Sequence, residues 1–285
     1  IELGRELFFD TNLSSDRSMS CATCHDPEKG WGNGEAVAVG VNGQAGRRNV
    51  PTIINAAYYR SLFWDGRAGS LEGQALSPIL SKDEMGMGTH EALVERLQED
   101  DHYQSLFDKA FTDGITATNV ALALASYQRT IVAGNTPYDR YLAGDKTAMS
   151  ESARRGMKLF LNERKTRCIR CHEPPMFIDM IYHNIGVGMD QDSPDLGRYE
   201  ITKLESNKGK FKVPTVRNVK LTAPYMHDGS IATLEEVVEF YDKGGHPNPY
   251  LSDVMRGKLN LTKQEKADLV AFMAEGLTSD TLPQP

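Results

Sequence analysis

The chain has 285 residues, of which 40% are hydrophobic and 25% are charged, values typical of a globular protein in water. It contains no apolar run of about 18 residues or more, so no membrane-spanning helix is predicted. Its net charge of −7 argues against a nucleic-acid partner, whose phosphates would be repelled, and weakly favours a basic partner. No signal-peptide pattern follows Ile1, so any export signal is expected to have been removed.

The spacing of apolar residues predicts a mainly α-helical chain interrupted by long loops. In the first half of the chain, the pattern predicts a loop over 26–56, a helix over 91–111, and a helix over 119–133 capped by Thr118 or Asn119. A linker is predicted from Asn135 to Met149. In the second half, the pattern predicts a helix from Ser150 to about Leu161, a loop over 173–222, and a last helix from the Thr262 capping box to near Gly276. Loops of this length are uncommon without a function, and covering a cofactor is one such function. The linker divides the chain into predicted halves, 1–140 and 141–285.

The four cysteines form two Cys-x-x-Cys pairs, and a histidine follows each pair directly. The residues are Cys21, Cys24 and His25 in the first motif, and Cys168, Cys171 and His172 in the second. Two thiols three positions apart can form thioether bonds to both vinyl groups of one haem, and the next histidine can reach the iron. The sequence therefore predicts two covalently bound c-type haems, with His25 and His172 as the proximal iron ligands.

Three other uses of the cysteines fit the sequence less well than haem attachment. A four-cysteine zinc site or a redox-active dithiol would need no histidine after either pair. Two disulfides would close very small loops and would stabilise little. The chain has only seven histidines, so chance placement of one after each pair is improbable. Haem attachment is the favoured reading, and because it occurs on the exported side of the membrane, the periplasm is the expected compartment.

The surroundings of the two motifs are repeated along the chain. A Gly-x-x-Leu-Phe sequence precedes each motif, beginning at Gly4 and at Gly156. After each motif come a Val-Pro-Thr sequence, an Asp-Gly pair and a Leu-Glu pair, and the proline and the aspartate are fourteen positions apart in both halves. The same order with the same spacing predicts a tandem duplication of one haem-binding unit.

On these residues the chain resembles the bacterial di-haem cytochrome c peroxidase family, and within it the MauG-like branch. The resemblance is carried by both haem motifs and by three further segments, Phe63–Arg67, Phe211–Val219 and Ala223–Gly229. It covers nearly the whole chain. It implies two tandem cytochrome c-like domains, each binding one haem, with long loops over the haems.

The resemblance also implies where peroxide reacts. In the family the N-terminal haem is the site of peroxide chemistry, and the C-terminal haem relays electrons. The family's distal glutamine and glutamate match Gln74 and Glu84, ten and twenty positions after Trp64. A carboxylate in that place can take a proton from peroxide and return it to the leaving oxygen. Trp64 matches the family tryptophan that lies between the two haems.

The sixth iron ligands distinguish the branches of the family. Ordinary members use a methionine on the C-terminal haem, whereas the matching residue here is Tyr241, as in the MauG-like branch. Met226 is the rival ligand, and a tyrosine that merely faces the core is the third reading. The segment Gly40–Gln44 lacks the histidine that closes the N-terminal haem in many members. We therefore expect that haem to be five-coordinate in the oxidised protein.

Calcium and partners are further implications of the resemblance. The family binds calcium partly through backbone carbonyls, and the matching residues are Asn49, Thr222 and Pro224. Oxygen donors suit this cation. The expected partners are hydrogen peroxide and either a small redox protein, such as a cytochrome or a cupredoxin, or a protein oxidised at a side chain. A monomer or a homodimer is expected.

The leading hypothesis is thus a hydrogen-peroxide-dependent di-haem oxidoreductase, in which Glu84 and Gln74 assist cleavage of the O–O bond and Trp64 relays electrons. The alternative is a non-catalytic di-haem electron carrier. It would need both irons closed by strong sixth ligands, and Met85, Met87 and His90 are candidates in the N-terminal half.

Overall fold

The computed structural model describes all 285 residues and confirms the prediction of a mainly α-helical chain. The chain forms two compact units. The first contains residues 1–62, 68–132 and 283–285, and the second contains residues 63–67 and 133–282. The five residues 63–67 therefore belong to the second unit, although the sequence on both sides of them belongs to the first. No helix is long and apolar enough to cross a membrane.

The first unit contains six α-helices: α1 (Glu2–Phe9), α2 (Cys21–Cys24), α3 (Leu71–Leu80), α4 (His90–Gln98), α5 (Asp101–Ala110) and α6 (Ala117–Gln128). Helix α1 packs against α6 at Gly4. A Cβ atom at Gly4 would lie 1.9 Å from the carbonyl oxygen of Ala123, so only glycine permits this close approach. The core around this crossing includes the fully buried side chains of Leu7, Phe8 and Leu124.

The second unit contains five α-helices and one two-stranded antiparallel sheet: α7 (Pro137–Leu142), α8 (Glu151–Phe160), β1 (Tyr182–His183), α9 (Tyr199–Thr202), β2 (Phe211–Lys212), α10 (Leu234–Lys243) and α11 (Lys263–Ala271). Helix α8 packs against α11 at Gly156. A Cβ atom there would lie 1.8 Å from the carbonyl oxygen of Asp268. The repeated Gly-x-x-Leu-Phe sequence thus performs the same task in both units.

Several predicted elements differ from the structure in their bounds. The predicted helix 91–111 is two helices, because Asp100 accepts a hydrogen bond from the His102 amide and so begins α5. The predicted helix 119–133 runs over Ala117–Gln128, and its cap is Thr116. Neither Thr118 nor Asn119 caps it, because both residues lie inside the helix.

The predicted linker Asn135–Met149 is also wrong. It contains α7, and Tyr138 of that helix is buried against the rings of Phe177 and Phe272. The helix that begins after Ser150 and the capping box of Thr262 and Glu265 are confirmed. After Ala271 the last helix continues as a π-helical turn over Phe272–Gly276, so its predicted end is confirmed as well.

Candidate haem sites and peroxide site

The first Cys-x-x-Cys pair lies on the short helix α2. Ser20 and Thr23 form a capping box at its start, which fixes this single turn. Residues three apart on a helix lie on one side, so both thiols are presented together. Neither cysteine forms a disulfide, and burial raises the pKa of Cys21 to about 12. A thiol with a raised pKa is a poor redox-active thiolate, which argues against a catalytic dithiol.

His25 follows α2, and its ring is fixed by the backbone. Its Nδ1 atom lies 3.1 Å from the carbonyl oxygen of Trp31, to which a protonated Nδ1 donates. Burial lowers the pKa of this imidazole, which favours the neutral form. A neutral ring that donates from Nδ1 keeps the Nε2 lone pair for a metal. The donor set of two thiols and one imidazole therefore fits a c-type haem.

The second motif repeats this arrangement in the second unit. Cys168–Arg170 form one 3₁₀ turn, and burial raises the pKa of Cys168 to about 11 and that of Cys171 to about 12. His172 Nδ1 lies 3.1 Å from the carbonyl oxygen of Phe177. Burial lowers the pKa of His172 as it lowers that of His25. The second donor set thus fits a c-type haem in the same way.

Glu84 lies close to the first motif. It belongs to the loop after α3, which folds back onto the end of that helix: the Met85 amide donates to the carbonyl of Pro78 at 3.0 Å, and the Met87 amide donates to that of Ile79 at 2.9 Å. The pKa of Cys24 is raised by burial and by the charge of Glu84. The structure therefore brings this carboxylate and the first attachment site together. Gln74 is half-buried on α3, the helix that supports the Glu84 loop.

The segment Gly40–Gln44 supports the Glu84 loop, a role that the sequence did not reveal. The Val41 amide donates to the carbonyl oxygen of Glu84 at 2.8 Å. A Cβ atom at Gly40 would lie 2.2 Å from the carbonyl oxygen of Asp83 and 2.7 Å from that of Glu84. The glycine allows the two backbones to touch, and so this segment supports the backbone that carries the Glu84 side chain.

The candidate closing ligands of the first haem differ in their burial. Met85 and Met87 are buried side chains of the first unit, only 4% and 8% exposed. His90 is exposed at the start of α4. The two methionines therefore stay as the structural basis of the electron-carrier alternative, and an exposed His90 is poorly placed for it.

Tyr241 and Met226, the rival ligands of the second haem, lie in one cluster of apolar side chains around Val187, Phe240 and Met255. Tyr241 is on α10. The pKa of its phenol is raised by burial and by the thiols of Cys171 and Cys168. Its ring is therefore near the second attachment site.

Trp64 is half-buried in the second unit. Its carbonyl oxygen accepts a hydrogen bond of 2.7 Å from the Lys212 amide. Its indole meets the ring of His227 edge to face, with 6.5 Å between the ring centroids. His227 is the residue that takes the place of Trp64 in the second repeat, so the two equivalent residues contact each other.

The predicted calcium ligands belong to different units. In the first unit the side-chain amide of Asn49 donates from Nδ2 to the carbonyl of Glu35 at 2.9 Å. In the second unit the Thr222 hydroxyl donates to the carbonyl of Val219 at 3.2 Å, and Pro224 follows a cis peptide bond. Calcium binding stays a prediction.

A hydrogen-bonded pair beside the second motif was missed by sequence reasoning. His183 Nε2 lies 2.7 Å from a carboxylate oxygen of Asp179, and both side chains are largely buried. The ligand atoms of Cys171, Asp179 and His183 lie within 4.8 Å of one another. Cys171 also belongs to the second Cys-x-x-Cys-His motif, so this cluster overlaps the candidate haem site. No sequence motif marks this pair.

Two sites of this composition in a mainly helical chain define a protein that takes c-type haem twice. A family profile described as di-haem cytochrome c peroxidase matches residues 1–147. The chain belongs to this family, as the sequence predicted, and is thus a peroxidase-type oxidoreductase with haem c as its cofactor.

Two relatives show how far the similarity extends. The methylamine utilization protein MauG of Methylophilus methylotrophus is 40% identical over 277 residues, which are 95% of this chain and 80% of that protein. The cytochrome-c peroxidase IdrP1 of Denitromonas iodatirespirans is 40% identical over 304 residues, 96% of this chain and 80% of that protein. The two branches are thus equally similar to this chain.

Solved structures confirm the fold. The crystal structure of a MauG-like protein associated with microbial copper homeostasis is 33% identical, has a TM-score of 0.86, and covers 98% of this chain and 89% of that one. The di-haem peroxidase BthA of Burkholderia thailandensis E264 has a TM-score of 0.81 at 24% identity, and covers 98% of this chain and 86% of that one.

Proposed function

We propose that this protein reduces hydrogen peroxide at the site of His25 and takes the electrons from a redox protein or from a side chain of a protein substrate. One peroxide, two electrons and two protons give two water molecules. The observation that carries the proposal is the position of Glu84, whose charge reaches the thiol of Cys24 in the first attachment site. A carboxylate beside the reacting oxygen atoms is the group that this reaction needs.

Each residue has a distinct task at this site. Cys21, Cys24 and His25 hold the first haem, and when bound, this haem supplies an iron that accepts peroxide and oxidising equivalents. Glu84 takes the proton from one peroxide oxygen and delivers it to the other, which leaves as water. Gln74 holds the peroxide through hydrogen bonds from its amide. The segment Gly40–Gln44 keeps the carboxylate in place through its contact with the Glu84 backbone.

The second haem is held by Cys168, Cys171 and His172, and we assign Tyr241 as its sixth ligand. A phenolate oxygen donates charge and so favours the oxidised states of iron more than a thioether does. The coupling of Tyr241 to the two thiols supports this assignment. Trp64 passes electrons from this second site to the first. The two sites occupy tandem cytochrome c-like domains, and the periplasm is the proposed compartment.

The choice between the two electron sources rests on Tyr241. The relatives include proteins named MauG and proteins named cytochrome-c peroxidase, at the same 40% identity. Tyr241 and the absence of a histidine from Gly40–Gln44 favour MauG-like oxidation of a protein side chain. A small cytochrome or a cupredoxin as the donor is the peroxidase variant of the same chemistry.

The substitution Glu84→Gln tests the proposed role of the carboxylate. We expect the reaction of the oxidised holoprotein with peroxide, followed by stopped-flow absorbance, to slow by about 100-fold or more, because the amide cannot accept the proton. Asp83→Asn is the matched control, since Asp83 is the exposed neighbour in the same loop and should leave the rate unchanged. An unchanged rate in Glu84→Gln would remove Glu84 from the mechanism.

The resting protein distinguishes the enzyme from the electron carrier. Electron paramagnetic resonance of the oxidised enzyme should show one high-spin iron, at the His25 site, and one low-spin iron. Two low-spin signals, together with no reaction with peroxide, would favour the carrier, with Met85 or Met87 closing the first iron.

A further inference from the structure

The segment Phe63–Arg67, here called the tryptophan loop, is held in the second unit by contacts from residues 198–212. We propose that Arg198 is the residue that positions Trp64 for electron transfer. This inference rests on the proposed relay through Trp64. Arg198 lies in the segment 173–222, which the sequence predicts to be a loop over a haem but which contains β1, α9 and β2.

The backbone of the tryptophan loop is in a conformation that needs external support. Phe63 has a φ of 65° and Gly66 a φ of 68°. For a residue with a side chain, such as Phe63, the left-handed region costs about 1–2 kcal/mol. The Gly66 amide donates to the carbonyl of Phe63 at 3.2 Å, which makes the loop a tight turn. The carbonyls of residues 64, 65 and 66 are then left to bind groups outside the loop.

Arg198 binds two of those carbonyls. Its Nη1 atom donates to the carbonyl oxygen of Asp65 at 2.9 Å and to that of Gly66 at 3.0 Å. These are the two residues directly after Trp64. Hydrogen bonds from a charged donor are roughly twice as strong as neutral ones. The guanidinium therefore fixes the peptide groups that carry the indole.

Arg198 is itself fixed by its surroundings. Its amide donates to the carbonyl of Lys210 at 2.8 Å. Its guanidinium lies over the ring of Tyr182, 4.7 Å from the centroid. The same tyrosine packs against Gly66, where a Cβ atom would lie 1.8 Å from the hydroxyl oxygen. The arginine thus joins the tryptophan loop to strand β1 as a rigid assembly.

The preceding carbonyl is held from the neighbouring strand. The Lys212 amide on β2 donates to the carbonyl oxygen of Trp64 at 2.7 Å. Three successive carbonyls, those of residues 64, 65 and 66, therefore all accept hydrogen bonds from the segment 198–212. The indole itself rests against His227, whose ring stacks on Phe211 with centroids 3.6 Å apart and an angle of 15°.

Arg67, the other arginine near the loop, has a different task. It binds the Asp65 carboxylate at 3.1 and 3.0 Å and lies 3.4 Å from the centroid of the Phe63 ring. Both partners belong to the same loop, so Arg67 stabilises its internal shape. Arg198 lies 133 positions after Asp65 in the sequence, and its hydrogen bonds connect the loop to the rest of the unit.

Arg198 affects the proposed reaction only through the position of the Trp64 indole. In a relay step the indole of Trp64 loses one electron toward the peroxide site and regains one from the donor side, so no atom is transferred. The rate of such a step depends on where the indole lies and how it is oriented. A displaced or rotated indole would therefore slow the transfer without any change in the groups that react.

The test compares Arg198→Met, Arg198→Lys and the control Arg256→Met in the holoprotein. The side chain of Arg256 is exposed and pairs with the exposed Asp253, so its removal should not affect the tryptophan loop. Hydrogen exchange of the peptide covering 62–68, followed by mass spectrometry, should become faster in Arg198→Met and less so in Arg198→Lys. Peptides from α8 should keep their protection in every variant. Electron transfer between the haems after photoreduction should be slower in Arg198→Met than in Arg198→Lys, and unchanged in Arg256→Met.

The substitution Trp64→Phe separates this proposal from the relay on which it rests. We expect Trp64→Phe to slow the transfer and Arg198→Met to add nothing in the Trp64→Phe background. Equal slowing in both backgrounds, or unchanged exchange of 62–68 with an unchanged rate, would overturn the role of Arg198 and leave the relay in place. An unchanged rate in Trp64→Phe would instead overturn the relay, and the role of Arg198 with it.

Discussion

His25 and His172 show how single residues of this protein are prepared for a metal. Each imidazole directs Nδ1 at a backbone carbonyl of a residue that follows it closely in the chain, Trp31 in one case and Phe177 in the other. Both of those residues have positive φ angles, 61° and 57°. The turn that this conformation creates aims the carbonyl back at the ring, and the orientation of the ligand is therefore built into the backbone.

The candidate haem attachment residues were found in the sequence alone because their chemistry requires a fixed spacing along the chain. Glu84 and Tyr241 have no such local signature, and they were predicted from the resemblance. Arg198 could not be predicted at all. Its partners are more than a hundred positions away, and a lone arginine in a loop carries no sign of the carbonyls that it binds.

Tyr241→Phe is the residue-scale prediction for the second haem. We expect loss of the phenol oxygen to change the visible and electron paramagnetic resonance spectra of the low-spin haem, because the iron loses a charged oxygen ligand. Met226→Leu is the matched control, since Met226 belongs to the same side-chain cluster and should leave both spectra unchanged. The reverse result, a shift only in Met226→Leu, would assign the methionine as the ligand.

At the scale of elements, glycines determine where segments can touch. Gly4 and Gly156 allow one helix crossing in each unit, and Gly40 allows a loop to support Glu84. Such contacts can be predicted from the sequence only where the glycine belongs to a repeated motif, as Gly4 and Gly156 do. Gly40 has no counterpart of this kind, and its contact with the Glu84 loop was missed.

Helix ends were predictable where a cap reinforces the apolar pattern, as at Ser150 and Thr262. The predicted helix 91–111 failed because apolar spacing continues across the break at Glu99 and Asp100. The predicted linker failed because α7 is short and its polar residues conceal Tyr138, which packs in the core. Tertiary packing decided both cases, and a local pattern does not contain it.

Gly40→Ala tests the support of Glu84. The added methyl group would meet the carbonyl oxygens of Asp83 and Glu84, so the Glu84 loop must shift. We expect the peroxide reaction in stopped flow to slow by on the order of tenfold while both haems stay attached. Gly134→Ala is the matched control, because nothing lies within 4 Å of a Cβ atom there. Equal rates in the two variants would show that the segment does not position Glu84.

Asp268 connects α11 to α8, and its contribution to the stability of the fold should depend on pH. Its carboxylate is 3% exposed and accepts hydrogen bonds from Arg155, Ser152 and Gln264. These bonds, with Arg155 first, lower the pKa of Asp268 from 3.8 to about 2. The pair therefore stabilises the fold at pH values above about 4 and loses this effect as the pH falls toward 2.

We expect Asp268→Asn to lower the free energy of unfolding by about 1–2 kcal/mol at pH 7, a value reduced because Arg155 is half exposed to solvent. The difference from the unmodified protein should shrink as the pH is lowered from 4 to about 2 in urea titrations. Asp253→Asn, at an exposed carboxylate, should leave the stability unchanged at both ends of this range. A difference that stays constant with pH would show that the charge of Asp268 contributes nothing.

At the scale of the whole molecule, each compact unit contains one Cys-x-x-Cys-His motif and its own buried side chains. The first has Leu7, Phe8 and Leu124 near the crossing of α1 and α6, and the second has Phe160, Phe177 and Phe272 near that of α8 and α11. Glu84 is present only in the first unit and Tyr241 only in the second. The proposed duplication would thus supply two similar sites, to which Glu84 in one unit and Tyr241 in the other would give different chemistry.

The double substitutions Cys168→Ser with Cys171→Ser, and Cys21→Ser with Cys24→Ser, test this division of labour. Each variant should keep one covalent haem, as measured by the pyridine haemochrome assay and by mass spectrometry, because the thiols of the other site remain. The variant without the second pair should retain the high-spin signal and a reaction with peroxide, since Glu84 and His25 are intact, but should lose turnover with an external donor. The variant without the first pair should lose the reaction with peroxide. If peroxide reacted only in the protein that lacks the first pair, the roles of the two units would be reversed.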